Sequence, residues 1–277
     1  MRSLKSLDEN HLEIFKSITE VKQSPRKAIL SSIESSINLS YLEYFRVIGE
    51  LSGIKSVNCY SQDQKEALLH CYNSSSKPLN EMIDKIYNLQ PSAYRASCQY
   101  CGIGEPETSD HYIPKELYPE YSVLPLNLIP CCPICNTLKS NKWLNKENRR
   151  QFINLYFDYI NKNVKFLYAE IKYNGDDAEV NFMLLQPPNM SVELFELVKN
   201  HYVNLKLFDR YKKKANEYIS EIETILNDEE VNDKSEIEYE LKRDIRKFSR
   251  GRGMNYYKVA IADALLNCKE FLETDFT

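Results

Sequence analysis

The sequence predicts an α+β protein, a mainly helical chain around a small zinc-stapled segment, with a β-hairpin near residues 164–185. Three observations carry this. Apolar residues recur at helical spacing through both flanks, the spacing switches to strict alternation on either side of Asn174-Gly175, and two C-x-x-C pairs stand about thirty residues apart. The expected organisation is a helical region at 1–95, a metal-stapled core at 96–150, and a hairpin followed by helices at 151–277.

In the first ninety residues, the run Tyr41-Leu-Glu-Tyr-Phe-Arg-Val-Ile and the set Leu79, Met82, Ile83 and Ile86 recur at helical spacing, and Pro78 suits a first helical turn. These read as core faces and not as a binding motif. From Asn163 to Leu185 the period becomes two: Leu167, Ala169, Ile171 and Tyr173 face one way, Asn174-Gly175 turns the chain, and Val180, Phe182 and Leu184 return. After Pro187-Pro188, Ser191 is placed to cap a helical region whose stripe is Tyr211, Ala215, Tyr218, Ile219, Ile222 and Leu226. A last helix is expected to carry Tyr257, Ile261, Ala264, Leu265, Cys268 and Leu272.

At 277 residues, with 43% hydrophobic and 27% charged residues and 7 glycines, the chain is neither disordered nor of low complexity. No run approaches the ~18 apolar residues of a membrane span, and the opening MRSLKSLDENHLEIF lacks the apolar core of a signal peptide. A cytoplasmic location is expected, with Cys59, Cys71, Cys131 and Cys268 reduced.

The net charge of −4 argues at first against a nucleic-acid partner, but its distribution matters more than its sum. An acidic run (Asp228, Glu229, Glu230, Asp233, Glu236, Glu238, Glu240) precedes a basic one (Lys242, Arg243, Arg246, Lys247, Arg250, Arg252, Lys258), which Tyr256 and Tyr257 follow. Cations with aromatics suit a phosphate path, with Arg246, Lys247, Arg250 and Arg252 as contacts. Equally, the two runs could pair in a salt-bridged helical hairpin, the acidic one shielding the basic one until substrate or a partner displaces it.

The strongest signals lie between residues 98 and 142. Cys98-Gln-Tyr-Cys101 and Cys132-Pro-Ile-Cys135 have the spacing of a closed Cys₄ zinc site, and Gly102 relieves the turn after the first pair. The alternative, buried cysteines or a redox pair, fits two such pairs less well than one. Between them lie Asp110-His111-Tyr-Ile-Pro114 and Asn127, and Asn136 and Lys139 follow the second pair. Adjacent strand residues point to opposite faces, so Asp110 and His111 converge on one point only where the chain bends, and Pro114 lies where a strand would break.

D-H-x-x-P, an Asn five residues before a Cys, and C-x-x-C-N-x-x-K together resemble the HNH endonuclease family, over residues 98 to 142 only. The resemblance implies a ββα-metal finger that hydrolyses phosphodiester bonds, with structural Zn²⁺ on Cys98, Cys101, Cys132 and Cys135 and catalytic Mg²⁺ or Mn²⁺ on Asp110 and Asn136. It makes His111 the general base and gives Asn127 a hydrogen bond across the loop that orients the base. The family often has His where Asn136 stands, and a neutral oxygen ligand favours Mg²⁺ or Mn²⁺ over a second zinc. The style of the sequence is similar to bacterial HNH proteins of anti-phage defence operons, which implies an ATPase or other partner subunit.

Blander readings stand beside these. Asn127 and Asn136 suit turns or caps, the helix after Cys135 being expected to start near Asn136. Lys139, Lys142, Lys146, Arg149 and Arg150 are either a solvated helix face or a phosphate track, with Lys139 and Lys142 the leading contacts. His201 reads as a packing residue. DNA is the favoured substrate; an RNase such as a tRNA-cleaving enzyme, or a non-catalytic zinc-stapled interaction module, is the alternative.

Overall fold

The computed structural model describes residues 3–55, 59–174, 178–228 and 233–274. They divide into two compact units, Ser3–Tyr159 and a second beginning at Ile160.

In the first unit, helices α1 (His11–Glu20), α2 (Arg26–Ser32), α3 (Glu34–Arg46), α4 (Gln62–Asn73), α5 (Lys77–Asn88) and the short α6 (Ser92–Arg95) precede the finger. Local chemistry sets their starts. The Asn10 side chain accepts from the Leu12 and Glu13 amides at α1, and Ser61 and Gln64 form a reciprocal capping box at α4. Pro78 stands in the first turn of α5, whose Leu79, Met82 and Ile86 are buried as the spacing predicts.

The finger is β1 (Thr108–His111), β2 (Leu128–Cys131) and α7 (Pro133–Lys139). The strands are antiparallel, pairing Thr108 with Cys131, Asp110 with Ile129 and His111 with Leu128. Tyrosine hydroxyls tie the helices to this small element. Tyr44 of α3 donates to Leu126 O (3.2 Å), Tyr72 of α4 to Ser109 O (3.3 Å), and Tyr121, between the strands, to Ser40 O (3.2 Å). From the far side, Tyr156 donates to Leu128 O (2.7 Å).

The second unit opens with the hairpin β3 (Leu167–Tyr173) and β4 (Ala178–Leu184). Its register pairs Leu167 with Leu184, Ala169 with Phe182 and Ile171 with Val180, the alternation read from sequence. The expected Asn174-Gly175 turn falls in part outside the described residues. Helices α8 (Val192–Asn204), α9 (Leu207–Asp228), α10 (Lys234–Arg252), α11 (Tyr257–Leu265) and α12 (Lys269–Leu272) follow. Ser191 caps α8 as expected, accepting from the Leu194 amide. The last expected helix is instead two, because the chain breaks after Leu265 and restarts with Cys268 as the capping residue of α12. His201 is fully buried in α8.

Part of the acidic run, residues 229–232, lies outside the described residues. Some of the rest pairs within α10, where Lys242 meets Glu238 (2.7 Å) and Arg243 meets Glu240. Tyr257 is buried and stacked on Tyr211 at 5.3 Å, which removes it from the expected stacking surface. Arg246, Lys247 and Arg250 are exposed, and the Arg252 guanidinium lies 5.9 Å from the Tyr256 ring centre.

Buried Asn255 ties the α10–α11 connection to β3. Its Oδ1 accepts from the Phe166 and Leu167 amides (2.7 and 3.0 Å), and its Nδ2 donates to Val164 O (2.7 Å). Asn255→Ala leaves those backbone groups unpaired, and the expected loss is about 2–4 kcal/mol in the unfolding free energy of this unit, measured by urea titration.

Candidate functional site

The four cysteines meet as their spacing predicts. Their Sγ atoms all lie within 4.8 Å of one another, and all four residues are buried. Cys101 Sγ and Cys132 Sγ are 3.8 Å apart, the edge of a tetrahedron whose metal–sulfur distance is about 2.3 Å. The first pair sits on a tight turn, in which the Gly102 amide donates to Cys98 O (2.7 Å) and Gly102 takes φ 72°, a conformation that glycine adopts without strain. Gly104 approaches so closely that a Cβ there would fall 2.9 Å from Cys132 Cβ. The second pair belongs to α7, with Cys132 at its cap and Cys135 inside it. Four clustered thiols fit a structural zinc ion.

This staple sets α7 against β1, and α7 carries Asn136 and Lys139. Asn136 lies inside the helix, not at its start as the capping reading expected, because α7 already begins at Pro133. Thr108 Oγ1 donates to Cys131 O (2.9 Å) and accepts from Asn136 Nδ2 (3.3 Å). Asn136 Oδ1 has no hydrogen bond among the described residues, and Asn136 lines a cleft of about 850 Å³ together with Asp110 and His111.

Lys139 corrects the sequence reading. Expected as a surface phosphate contact, it is fully buried, its ammonium donating to Asp110 Oδ1 (3.0 Å) and to His111 O (2.7 Å). The Tyr112 and Phe152 rings lie beside the ammonium, and among the described residues the carboxylate it meets is Asp110. Arg150 is likewise engaged, in a two-pronged pair with Asp158 (2.8 and 2.9 Å), whereas Lys142, Lys146 and Arg149 are exposed. Tyr100 donates to Asp110 Oδ2 (3.0 Å), so both carboxylate oxygens are occupied. Burial pushes the Asp110 carboxyl above its ordinary range, and the Lys139 ammonium and Tyr100 hydroxyl oppose that shift.

His111 ends β1. Its Nε2 lies 2.8 Å from Ser122 O, and a carbonyl can only accept, so the ring proton sits on Nε2 and the lone pair on Nδ1. The Tyr72 ring packs edge-on at 4.3 Å, and Ser122 is itself held by donating its hydroxyl to Leu68 O (2.9 Å). Burial depresses the His111 pKa to about 3, so the imidazole is neutral at pH 7. Neutral, with Nδ1 as acceptor, it has the form of a proton acceptor.

Fully buried Asn127 shapes the loop that follows. Its Oδ1 accepts from the Ile113 amide (2.8 Å) while its Nδ2 donates to Ile113 O (2.9 Å) and Tyr121 O (3.2 Å). It bonds across the loop, bending the chain just past His111, and does not line the cleft. This bend lets the two adjacent side chains share one cleft: Asp110 turns toward α7, His111 toward Ser122.

Sequence reasoning missed the opposite wall. Tyr72 and Asn73 of α4 and Ile83, Asp84 and Tyr87 of α5 face the finger across the cleft, so Ile83, read as core, lines it instead. The only available signal was that Ile83 falls beside the Leu79–Met82–Ile86 face. Among the described lining residues four are acidic (Asp84, Glu107, Asp110, Glu116) and one, Lys115, is basic. Beyond the cysteines, no second cluster of three or more His, Cys, Asp or Glu occurs among the described residues.

The family model described as HNH endonuclease matches residues 98–142. "Protein ea31" of Escherichia phage lambda is 28% identical over 186 residues, 65% of this chain, and the match spans 57% of that relative's length. No solved structure matches.

Two outcomes follow. Cys135→Ser should lose bound zinc and unfold the finger, since structural zinc contributes on the order of 10 kcal/mol in isolated fingers; metal analysis and circular dichroism check it. His111 stays neutral down to pH about 3 when folded but titrates near ~6.5 when unfolded, so its stabilisation is full above pH ~6.5 and is lost as pH falls toward 3. Between pH 7 and 5, wild-type unfolding free energy should fall about 2 kcal/mol more than that of His111→Gln in zinc-loaded protein.

Proposed function

From the premise of an HNH endonuclease domain at residues 98–142, we propose that the chain is a metal-dependent endonuclease that hydrolyses phosphodiester bonds, with DNA as its favoured substrate. One observation carries the reading. A neutral histidine with a free Nδ1 lone pair shares a cleft with two hard oxygen donors, Asp110 and Asn136.

That cleft is acidic, and phosphate is an anion; the two meet favourably only when a divalent cation lies between them. Asp110 and Asn136 would hold Mg²⁺ or Mn²⁺, both preferring oxygen ligands. When bound, the ion would supply Lewis-acid polarisation of the phosphate and charge compensation at the leaving oxygen. His111 takes a proton from the attacking water at Nδ1, and its Nε2–H remains on Ser122 O throughout, which keeps the ring aimed. Asn127 acts through His111 by fixing the loop behind it. Lys142, near the cleft, and Arg246, Lys247, Arg250 and Arg252 of the second unit would meet the nucleic-acid backbone, each contact sequence-independent. The likeness to defence-operon nucleases adds a companion ATPase or other partner subunit to the proposal. A fully active monomer on purified substrate overturns that part.

Plasmid DNA, single-stranded DNA and total tRNA, each with EDTA, Mg²⁺ or Mn²⁺, test the reading. Wild type should nick plasmid with either ion and not in EDTA, and His111→Ala should lose roughly 10²–10⁴-fold in rate while keeping its zinc. Cleavage of tRNA alone would assign the site to RNA. No cleavage of any substrate, with or without a captured partner, would reduce the finger to an interaction module.

A further inference from the structure

The buried lysine of α7 has no place in the reaction just described, yet its ammonium is held on two sides away from water. Its side chain has no exposure, and its ammonium has two described acceptors, Asp110 Oδ1 at 3.0 Å and His111 O at 2.7 Å. It also lies over the Tyr112 and Phe152 rings, 5.8 Å from each ring centre. A buried ammonium is tolerated only when paired, and the carboxylate it is paired with is the one proposed to bind the divalent cation.

Resting on the nuclease reading above, we propose that Lys139 is a positioning residue and built-in counter-ion. It compensates the Asp110 charge and holds that carboxylate in place while the divalent cation is absent, and it opposes that cation when it arrives. Three consequences follow from the geometry. The ammonium bridges a side-chain oxygen of Asp110 and the backbone carbonyl of His111, so one group fixes the proposed metal ligand and the proposed base together. Tyr100 holds the other carboxylate oxygen, which leaves the cation to share an oxygen already hydrogen-bonded. Because Lys139 cannot withdraw to water, its positive charge persists beside the incoming ion, and affinity for the ion is weakened in exchange for a site that is shaped in advance.

Calorimetric titration of zinc-loaded protein with Mn²⁺ alone tests this in wild type, Lys139→Met, Lys139→Arg and Asp110→Ala. Lys139→Met should bind Mn²⁺ at least roughly 10-fold more tightly than wild type, because a like charge has been removed. Lys139→Arg should stay near wild type, and Asp110→Ala should lose binding. Thermal unfolding adds an independent readout: Mn²⁺ should raise the midpoint of Lys139→Met more than that of wild type. Equal or weaker affinity in folded Lys139→Met overturns the counter-ion role and leaves the nuclease reading standing, whereas wild type that binds no Mn²⁺ removes the proposed metal site and this inference with it. Should Lys139→Met fail to fold, ¹³C-lysine spectra of wild type decide instead. The Lys139 ε resonance, assigned by its loss in Lys139→Arg, should move on addition of Mg²⁺, and a stationary resonance overturns the proposal.

Discussion

Four thiols brought within 4.8 Å of one another are the constraint on which the rest of the first unit depends. Two strands of four residues and a helix of seven cannot bury enough apolar surface to hold themselves together. The cysteines supply what the core cannot, joining the turn before β1 to the start of α7. Because α7 is short, fixing Cys132 and Cys135 also fixes Asn136 and Lys139. The elements that bear metal-seeking and charged groups are therefore positioned by a centre that takes no part in the chemistry proposed for them.

The helices before the finger do more than cover it. Tyrosine hydroxyls from α3 and α4 reach backbone carbonyls beside and within it, Leu126 O and Ser109 O. Helices α4 and α5 form the far wall of the cleft, bringing Tyr72 against the His111 ring and Asp84 to face the finger. Asn127 completes the arrangement from within. Three hydrogen bonds from one amide replace the strand pairing that ends at His111, and the chain can bend there without orphaning buried groups.

The neutral state of His111 and the filled state of Asp110 have one cause, their removal from water. Burial disfavours charge on an unpaired imidazole, so His111 sheds its proton. Burial would equally disfavour the Asp110 carboxylate, but there a lysine and a tyrosine hydroxyl meet it. Burial thus pushes both neighbours of one strand toward the neutral form, and at Asp110 the lysine and the tyrosine hydroxyl resist it.

By itself the sequence determined the chemistry available and the short-range geometry: the Cys₄ spacing, the D-H dyad, the antiparallel hairpin of residues 167–184, the Ser191 cap and the amphipathic faces of α5 and α9. These were legible because caps, periods and metal spacings act within a few residues. Lys139 was misread because a helix face of cations looks the same whether water or a carboxylate 29 residues upstream waits beside it. Tyr257 was misread as a stacking surface because its partner, Tyr211, lies far off in the chain. Only the tertiary structure decided which side chains lost contact with water, and with that which nitrogen of His111 carries its proton, where the Lys139 charge ends, and that α4 and α5 wall the cleft. Burial is set by what packs from elsewhere, and no local pattern encodes it.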